Sequence, residues 1–359
     1  MLESKKVLVA PLDWGLGHAT RCIPIIKYLI ESNAEVIIAS NGPSLILLKK
    51  EFPTLTSLKL PPYNIKYYSR NMGINMILQF PKIVYAIISE HLILKRIIKQ
   101  YNIDIIISDN RFGCFNKNIK SIFITHQLYI QMPKQLKFLG GIIRSVNHFF
   151  IRKFDECWIP DFEDKTQSLS GNLSHPPPNF LHKYVGPLSR MNFEKTTINR
   201  RILVILSGPE PERTRVEKRL IKALKSTTDS ILLIQGKPDK LIKQKEIAPN
   251  FISQNFMTSD TLNQAILESE IIICRAGYTS IMDLVILGKK AILIPTPGQT
   301  EQEYLAEYFD QRGLFIKLDQ KKIGWEVLLE KIEYLKKLEA PKLDTPIQKQ
   351  KELIVQLLN

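Results

Sequence analysis

The chain has 359 residues, of which 44% are hydrophobic and 24% charged, and its formal net charge is +15. This length exceeds what one typical hydrophobic core organises, so two domains are predicted. No apolar stretch reaches the roughly 18 residues of a membrane-spanning helix, and the four scattered cysteines form no metal or disulfide spacing. We therefore expect reduced thiols and a cytoplasmic protein.

The positive charge is concentrated in the first half of the chain. Residues 1–190 carry 24 Lys and Arg against 13 Asp and Glu, whereas residues 191–359 carry 26 against 22. The excess is thus +11 in the first half and +4 in the second. A basic surface of this kind suits an anionic partner, such as a lipid headgroup, a phosphorylated acceptor or a nucleic acid.

Alternating short apolar runs and helical patterns predict a doubly wound parallel sheet in the first half. The helical spacing of apolar residues covers Ala19–Glu31. The predicted strands are Lys6–Pro11, Glu35–Ser40, Ile103–Ser108, Ser121–Thr125 and Glu156–Pro160.

Polar residues follow three of these strands at their carboxyl ends, where open α/β sheets bind ligands. The first strand leads into a turn with Gly15 and Gly17 that closes on His18 at a helix N-terminus. The helix dipole favours the neutral form of such a histidine, which suits a general base. Asp109 and Arg111 follow the third strand and His126 the fourth, and Asp109 could orient His18 or replace it as the base.

The segment Pro133–Lys153 is basic and amphipathic. It contains Lys134, Lys137, Arg144, Arg152 and Lys153 but no acidic residue. Its apolar and aromatic residues alternate with these charges, which favours contact with an anionic membrane surface. An ordinary helix with its apolar face in the core remains the alternative, and Gly140-Gly141 predicts a break in the segment.

A second α/β series follows the Pro- and Ser-rich stretch Ser168–Pro187, so we predict domains at 1–190 and 191–359, with a last helix that could pack back on the first domain. The predicted strands are Arg201–Leu206, Ile231–Ile234, Phe251–Gln254, Ile271–Cys274, Ala291–Ile294 and Leu314–Lys317.

The stretch Cys274–Ala306 carries the most specific pattern in the chain. A buried strand ends at Arg275-Ala276-Gly277, and a helix is predicted to start near Tyr278. Backbone N–H groups and the positive end of a helix dipole make such a turn an anion site. Thr279 and Asp283 lie on this helix, and the next strand leads through a proline-rich turn to Glu301 and Gln302.

This stretch resembles the donor-binding half of GT-B glycosyltransferases of the family 28 type, which include the peptidoglycan lipid-intermediate N-acetylglucosamine transferase and the galactolipid synthases. Arg275, Gly277, Asp283 and Gln302 match the family's pattern over about fifty residues. Two residues in this pattern differ in type from the family's usual ones, since Ala276 and Asp283 stand where serine and glutamate are common. Glu303 stands where the lipid-intermediate enzyme has a second glutamine, which bears on the identity of the donor sugar.

The resemblance implies two Rossmann-like domains facing a cleft and an inverting transfer from a UDP-sugar to a hydroxyl acceptor, glycan or lipid-linked. It implies that Asp283 contacts the ribose, that Gln302 and Glu301 contact the sugar, and that Gly15, Gly17, Arg111 and His126 lie on the acceptor side. Ser207, Gly208 and Arg213 would approach the diphosphate, and Phe256 and Met257 the uracil.

The sequence contains no D-x-D triplet, so we expect no metal and no cofactor, with a helix N-terminus stabilising the departing diphosphate instead. Two other functions remain open. A UDP-sugar 2-epimerase shares the fold, and a non-catalytic polyanion or nucleic-acid binder would explain the charge. The second lacks any stacking or basic-groove motif, so we expect no nucleic-acid partner. The favoured location is cytoplasmic, with peripheral contact at the inner face of the membrane.

Overall fold

The structure is a computed structural model that describes residues 4–63, 72–238, 241–341 and 346–359. The side chains of residues 72–78, 80 and 134 lie outside this description. The chain forms two compact units, Met1–Ser189 with Thr345–Asn359, and Arg190–Asp344. We call them the N-terminal unit and the C-terminal unit.

The N-terminal unit is built on a seven-stranded, fully parallel sheet, as the buried, β-branched runs of its sequence predict. The strand order is β3-β2-β1-β4-β5-β6-β7. The strands are β1 (Lys6–Pro11), β2 (Glu35–Ser40), β3 (Thr56–Lys59), β4 (Ile105–Asp109), β5 (Lys120–Ile124), β6 (Glu156–Ile159) and β7 (His182–Tyr184).

Four helices connect these strands: α1 (Gly17–Glu31), α2 (Gly42–Glu51), α3 (Met72–Tyr101) and α4 (Gly140–Ile151). Helix α4 follows a 3₁₀ helix, Lys134–Leu139, so the predicted break at the glycine pair is confirmed. Apolar residues from β1, β2, β4 and α3 form one core of this unit.

The C-terminal unit repeats the design with a second seven-stranded sheet. Its order is β10-β11-β9-β8-β12-β13-β14, and only the β10–β11 pair is antiparallel. The strands are β8 (Arg200–Ile205), β9 (Ile231–Ile234), β10 (Gln244–Ala248), β11 (Phe251–Gln254), β12 (Ser269–Cys274), β13 (Ala291–Leu293) and β14 (Ile316–Lys317).

Five helices belong to the C-terminal unit: α5 (Glu212–Leu224), α6 (Ser259–Leu267), α7 (Tyr278–Ile286), α8 (Thr300–Gln311) and α9 (Trp325–Lys337). The last helix, α10 (Ile347–Leu358), belongs to the N-terminal unit. There the Gln350 amide donates hydrogen bonds of 3.1 and 2.9 Å to the carbonyls of Val185 and Pro187.

The sequence patterns do not predict three of the strands, β3, β7 and β10. Strands β3 and β7 are short edge strands, and exposed charged residues break the apolar pattern of β10. The other predicted strands are confirmed to within about two residues.

The strand order defines one switch point in each sheet. Strand β1 has β2 on one side and β4 on the other, and β8 lies between β9 and β12. In open α/β sheets the crevice for ligands forms outside the carboxyl ends of the strands at such a point. The residues that follow β1, β4, β8 and β12 therefore border the expected ligand crevice of each sheet.

Candidate active site

In the N-terminal unit, the carboxyl ends of β1 and β4 bring His18 and Asp109 together. His18 lies in the first turn of α1, and its Nδ1 is 2.7 Å from Asp109 Oδ1. Because a lone pair on Nδ1 would point at the carboxylate oxygen, we place a proton on Nδ1. Arg21 Nη2, which lies 2.9 Å from the same nitrogen, then donates to Asp109 Oδ1 rather than to the ring. In this tautomer the lone pair is on Nε2, the ring nitrogen that can accept a proton. The His18 side chain keeps 17% of its surface exposed.

Arg21 organises this pair, although the sequence reasoning did not single it out. It is buried and donates from Nε and Nη2 to the two carboxylate oxygens of Asp109. Burial alone would raise the pKa of Asp109, but the charges of Arg21 and His18 and their hydrogen bonds lower it to about 2. Asp109 is therefore a fixed anion at neutral pH. It can orient His18 but is poorly suited to be the base itself.

His126 and the two glycines complete this group. Arg21 Nη1 lies 3.0 Å from His126 Nδ1, and since a guanidinium can only donate, Nδ1 accepts. Gly15 has a φ of +85°, which glycine adopts without strain, and it turns the chain from β1 into α1. Gly17 is the first residue of that helix and its carbonyl accepts from Thr20.

Arg111, expected on the acceptor side, is buried against the end of β1 and the loop that follows it. Its side chain is fully buried and paired with Glu90 of α3, and it also bonds the carbonyls of Pro11 and Pro61. Gly113 N–H donates to the same carboxylate. This ion pair fastens α3 to the sheet, so Arg111 has a structural place in the described residues.

In the C-terminal unit, β12 ends in the turn at 275–277 and α7 begins at Tyr278, as predicted. The residue before the helix is Gly277, which offers no side chain to cap it. The first N–H groups of a helix have no partner within the helix, and they carry the positive end of its dipole. Thr279, half-buried, lies in this first turn. This terminus is the part of the C-terminal unit best suited to an anion.

Arg275 is held behind this turn rather than exposed beside it. The side chain is 1% exposed and donates to the carbonyls of Ile294 and Glu212 and to Gln320 Oε1, the last at 2.8 Å. Burial lowers the pKa of Arg275 to about 10, partly offset by Glu212, so the guanidinium stays charged at neutral pH. It ties together the segments that follow β12 and β13 and the start of α5.

Asp283 lies in the second turn of α7 and is 7% exposed. Burial first, and then the charge of Asp283, raise the pKa of the Cys274 thiol to about 12. The Asp283 carboxylate therefore lies close enough to the end of β12 to affect Cys274. It is on α7, the helix whose N-terminus is suited to an anion. This position suits a contact with a ribose attached to a bound diphosphate.

The proline-rich turn after β13 is braced by the start of α8. Gln302 Oε1 accepts from the Thr296 N–H at 2.9 Å, and Glu303 Oε1 accepts from the Gly298 N–H at 2.8 Å. Gln302 and Glu301 are both half-buried. Because its oxygen is occupied by the turn, Gln302 has its amide N–H groups left to offer to a sugar hydroxyl.

The residues that follow β8 divide into two groups. Ser207 is half-buried and Gly208 is exposed with a φ of +99°, at the switch point itself. Arg213 is buried and paired with Glu210 and Glu217, both at 2.7 Å. Its charge is thus balanced by two carboxylates.

Phe256 and Met257 follow β11. Phe256 is 4% exposed and packs as an interior residue, whereas Met257 is half-buried. Of the two side chains, that of Met257 is therefore the more accessible to a ligand, and the Phe256 carbonyl accepts from Gln254.

Four residues of these two sites escaped the sequence reasoning: Arg21, Glu212, Thr296 and Gln320. Arg21 had a signal, because it lies three residues after His18 and so on the same face of α1. Gln320 had none, since it is 45 residues from Arg275 in the chain and meets it only through the fold.

Two negative findings hold for the part of the chain that the structure describes. There, no three His, Cys, Asp or Glu side chains are grouped so that they could hold a metal ion. Likewise, no helix within the described ranges combines the length and apolar character needed to cross a membrane.

Comparison with known proteins was made against families, sequences and solved structures. Residues 214–357 match the glycosyltransferase family 28 C-terminal domain. An uncharacterized glycosyltransferase of Methanosarcina mazei is 23% identical over 334 residues, covering 86% of this chain and 84% of the relative.

A more local match is the UDP-N-acetylglucosamine–N-acetylmuramyl-(pentapeptide) pyrophosphoryl-undecaprenol N-acetylglucosamine transferase of Caldanaerobacter subterraneus subsp. tengcongensis. It is 27% identical over 142 residues, which are 37% of this chain and 39% of that protein. Among solved structures, the glycotransferase of kitacinnamycin superposes with a TM-score of 0.62 at 13% identity, covering 99% of this chain and 95% of that one. The structural match supports the expected two-domain α/β architecture.

Proposed function

Because the chain is a glycosyltransferase of the family 28, GT-B type, we propose that it moves a sugar from a UDP-sugar donor to a hydroxyl acceptor with inversion at the anomeric carbon. The observation that carries this proposal is the His18–Asp109–Arg21 group at the switch point of the N-terminal unit. It holds an imidazole, whose Nε2 can accept a proton, beside a carboxylate that is ionised at neutral pH.

In the proposed reaction the acceptor oxygen attacks the anomeric carbon, and His18 Nε2 takes the acceptor's proton. Asp109 accepts from Nδ1 and stabilises the imidazolium that forms, while Arg21 keeps Asp109 ionised. A positioned general base of this kind accelerates a reaction by roughly 10²–10⁴-fold. His126, held by Arg21, lies on the acceptor side together with Gly15 and Gly17.

The donor is assigned to the C-terminal unit. The N-terminus of α7 receives the diphosphate and stabilises its developing charge, with Ser207 and the Gly208 N–H as further donors. Asp283 accepts from ribose hydroxyls, and Glu301 and the Gln302 amide bind the sugar. No metal or cofactor is proposed, because helix and side-chain donors supply the positive charge that a cation would give.

The proposed acceptor is lipid-linked, at the inner face of the membrane. The Caldanaerobacter relative's name specifies a pyrophosphoryl-undecaprenol acceptor. In this chain, Pro133–Lys153 exposes Phe138, Ile142 and Phe149 together with Lys137 and Arg144. Lys134 belongs to the same segment, but its side chain is outside the described ones.

Helix α3 adds a second apolar surface that the sequence analysis missed. Tyr85, Ile88 and Leu92 are each more than half exposed and lie on one face, at spacings of three and four residues. Phe150 of α4 packs against the cluster that contains Ala86 and Ile87 of α3, so the two helices are neighbours. A basic rim with exposed aromatic residues is suited to an anionic membrane surface.

The test combines a donor screen with two single substitutions. Wild-type protein is incubated with nucleotide sugars, with and without lipid-linked acceptors, and UDP affinity is measured by calorimetry. His18→Ala is expected to lower kcat by roughly 10²–10⁴-fold with unchanged UDP affinity. Asp283→Ala is expected to weaken UDP binding by about 1.5–3 kcal/mol, the range for a hydrogen bond involving a charged group.

The two variants serve as controls for each other, because each changes one unit only. A folded His18→Ala variant with near-normal kcat would contradict the base assignment, and unchanged UDP affinity in Asp283→Ala would contradict the ribose contact. Conversion of UDP-GlcNAc to its 2-epimer without any acceptor would favour the epimerase instead.

A further inference from the structure

The turn after β13 contains a buried hydroxyl whose hydrogen-bonding capacity is unused. Thr296 is 2% exposed, and among the described residues its Oγ1 has no hydrogen-bond partner. Its backbone is fully engaged, since Thr296 N–H donates to Gln302 and its carbonyl accepts from Gln299 N–H. A buried polar group without a partner typically costs about 1–3 kcal/mol, so such a group calls for a functional reason.

A second unused donor belongs to the same segment. Arg275 Nε is buried and, within the described residues, likewise without a partner, although the two terminal nitrogens of the same guanidinium are bonded. Arg275 Nη1 reaches the carbonyl of Pro295, the residue directly before Thr296, at 3.4 Å. A hydroxyl and a cationic N–H that both lack an acceptor indicate an anionic oxygen as the missing group.

Gly208, which is exposed, lies beside the Thr296 hydroxyl. Strand β12 separates β8 from β13, yet the turns after β8 and β13 meet beyond its end: a Cβ added to Gly208 would lie 3.7 Å from Thr296 Oγ1. Gly208 is exposed with a φ of +99°, and among the described residues Thr296 Oγ1 is the one atom beyond its chain neighbours within 4 Å of that added Cβ. A small ligand atom can therefore approach Thr296 from the Gly208 side.

We propose that Thr296 is a donor-binding residue whose hydroxyl holds an oxygen of the distal phosphate of the nucleoside diphosphate, next to Arg275. This inference rests on the proposed UDP-sugar donor and deepens it. The distal phosphate is favoured because Thr296 is hydrogen-bonded to Gln302, the proposed sugar contact, whereas the proposed ribose contact, Asp283, lies on α7.

The experiment is a calorimetric comparison of UDP and UMP binding to wild type, Thr296→Val, Thr296→Ser and the control Thr228→Val. Valine keeps the shape of threonine but removes the hydroxyl, and serine keeps the hydroxyl. Thr228 is exposed, and it lies in the loop before β9, at the amino ends of the strands rather than at their carboxyl ends. Thr296→Val should bind UDP about 10- to 100-fold more weakly. UMP affinity should stay the same, since UMP lacks the distal phosphate, and Thr296→Ser and Thr228→Val should resemble wild type.

Thermal unfolding without nucleotide provides the second readout. Because the hydroxyl has no partner there, Thr296→Val should unfold at the wild-type temperature or above it. A lower unfolding temperature, unchanged UDP affinity in Thr296→Val, an equal loss for UMP, or a serine variant as weak as valine would each overturn the inference. A wild-type protein that binds neither nucleotide would overturn the proposed donor itself, which separates the two failures.

Discussion

At the scale of single residues, the site in the N-terminal unit depends on how a buried carboxylate is kept charged. Asp109 is fully buried, and removing a carboxylate from water strongly favours its neutral form. Arg21 reverses this with two hydrogen bonds to the same carboxylate. The outcome is a fixed negative charge beside His18 Nδ1, which selects the tautomer that leaves Nε2 available.

Substitution of Asp109 by Asn tests this account through stability and pH. The variant leaves the buried Arg21 without its counter-charge, which typically costs about 3–5 kcal/mol of unfolding free energy. Because the pKa of Asp109 is lowered to about 2 in the folded protein, its contribution is present above the unfolded pKa of about 4 and is lost as pH falls toward 2.

Denaturant unfolding at pH 7 and at several values between 4 and 2.5 would measure both effects. The difference in unfolding free energy between wild type and Asp109→Asn should be largest at pH 7 and should shrink as the pH falls through this window. A constant difference would contradict the assigned ionisation of Asp109. Glu268→Gln, which changes a half-buried carboxylate whose arginine partner is 3.9 Å away, is the control and should cost little.

Residue types at strand ends could be predicted from sequence, but their partners could not. His18 and Asp109 were both predicted, since each lies at or soon after the carboxyl end of a buried strand. Arg111 and Arg213 satisfied the same rule, yet each is paired with a carboxylate. The partner of Arg111 is Glu90, 21 residues earlier in the chain, and the partner of Arg213 is Glu217, four residues later. A carboxylate that neutralises an arginine in this way cannot be identified from the local pattern.

At the scale of elements, the helix α7 and the turn before it carry the electrostatic part of the proposed mechanism. The start of α7 was predictable, because an abrupt end of an apolar run followed by glycine and a 3.6-residue pattern specifies strand, turn and helix. The short edge strands β3 and β7 were not, since few buried residues define them.

If the α7 terminus and neighbouring donors stabilise the leaving diphosphate, transfer should not need a divalent cation. Activity is expected to persist in excess EDTA, within about twofold of the untreated enzyme, because these dipoles and N–H groups are fixed in the fold. A steady-state transfer assay with EDTA, and then with added Mg²⁺ or Mn²⁺, measures this. Loss of activity on chelation and its recovery with metal would contradict the leaving-group assignment.

At the scale of the whole molecule, positive charge is concentrated in the N-terminal half of the chain. The residues up to 190 carry the excess of +11, and there Pro133–Lys153 presents Phe138, which is 78% exposed, among basic side chains. Lys153 Nζ lies 4.3 Å from the centroid of the Phe149 ring, so charge and aromatic surface occur together. The sequence predicted this combination on the 133–153 segment but missed α3, whose length and internal proline obscured its exposed apolar face.

A membrane role for this surface can be separated from the chemistry of the donor. Replacement of Lys137, Arg144 and Lys153 by Gln should release the protein from vesicles of phosphatidylcholine with phosphatidylglycerol, since each basic residue near an anionic surface contributes about 1 kcal/mol. High salt should have the same effect on wild type, because such attraction is screened over roughly 10 Å at 0.1 M. UDP affinity should not change.

The control replaces Lys218, Lys222 and Lys225, three exposed lysines on and just after α5, by Gln, which removes the same charge from the C-terminal unit. Co-sedimentation with neutral and anionic vesicles provides the measurement. Equal binding to both vesicle types, binding to neither, or equal losses in the two triple variants would point to a water-soluble acceptor instead.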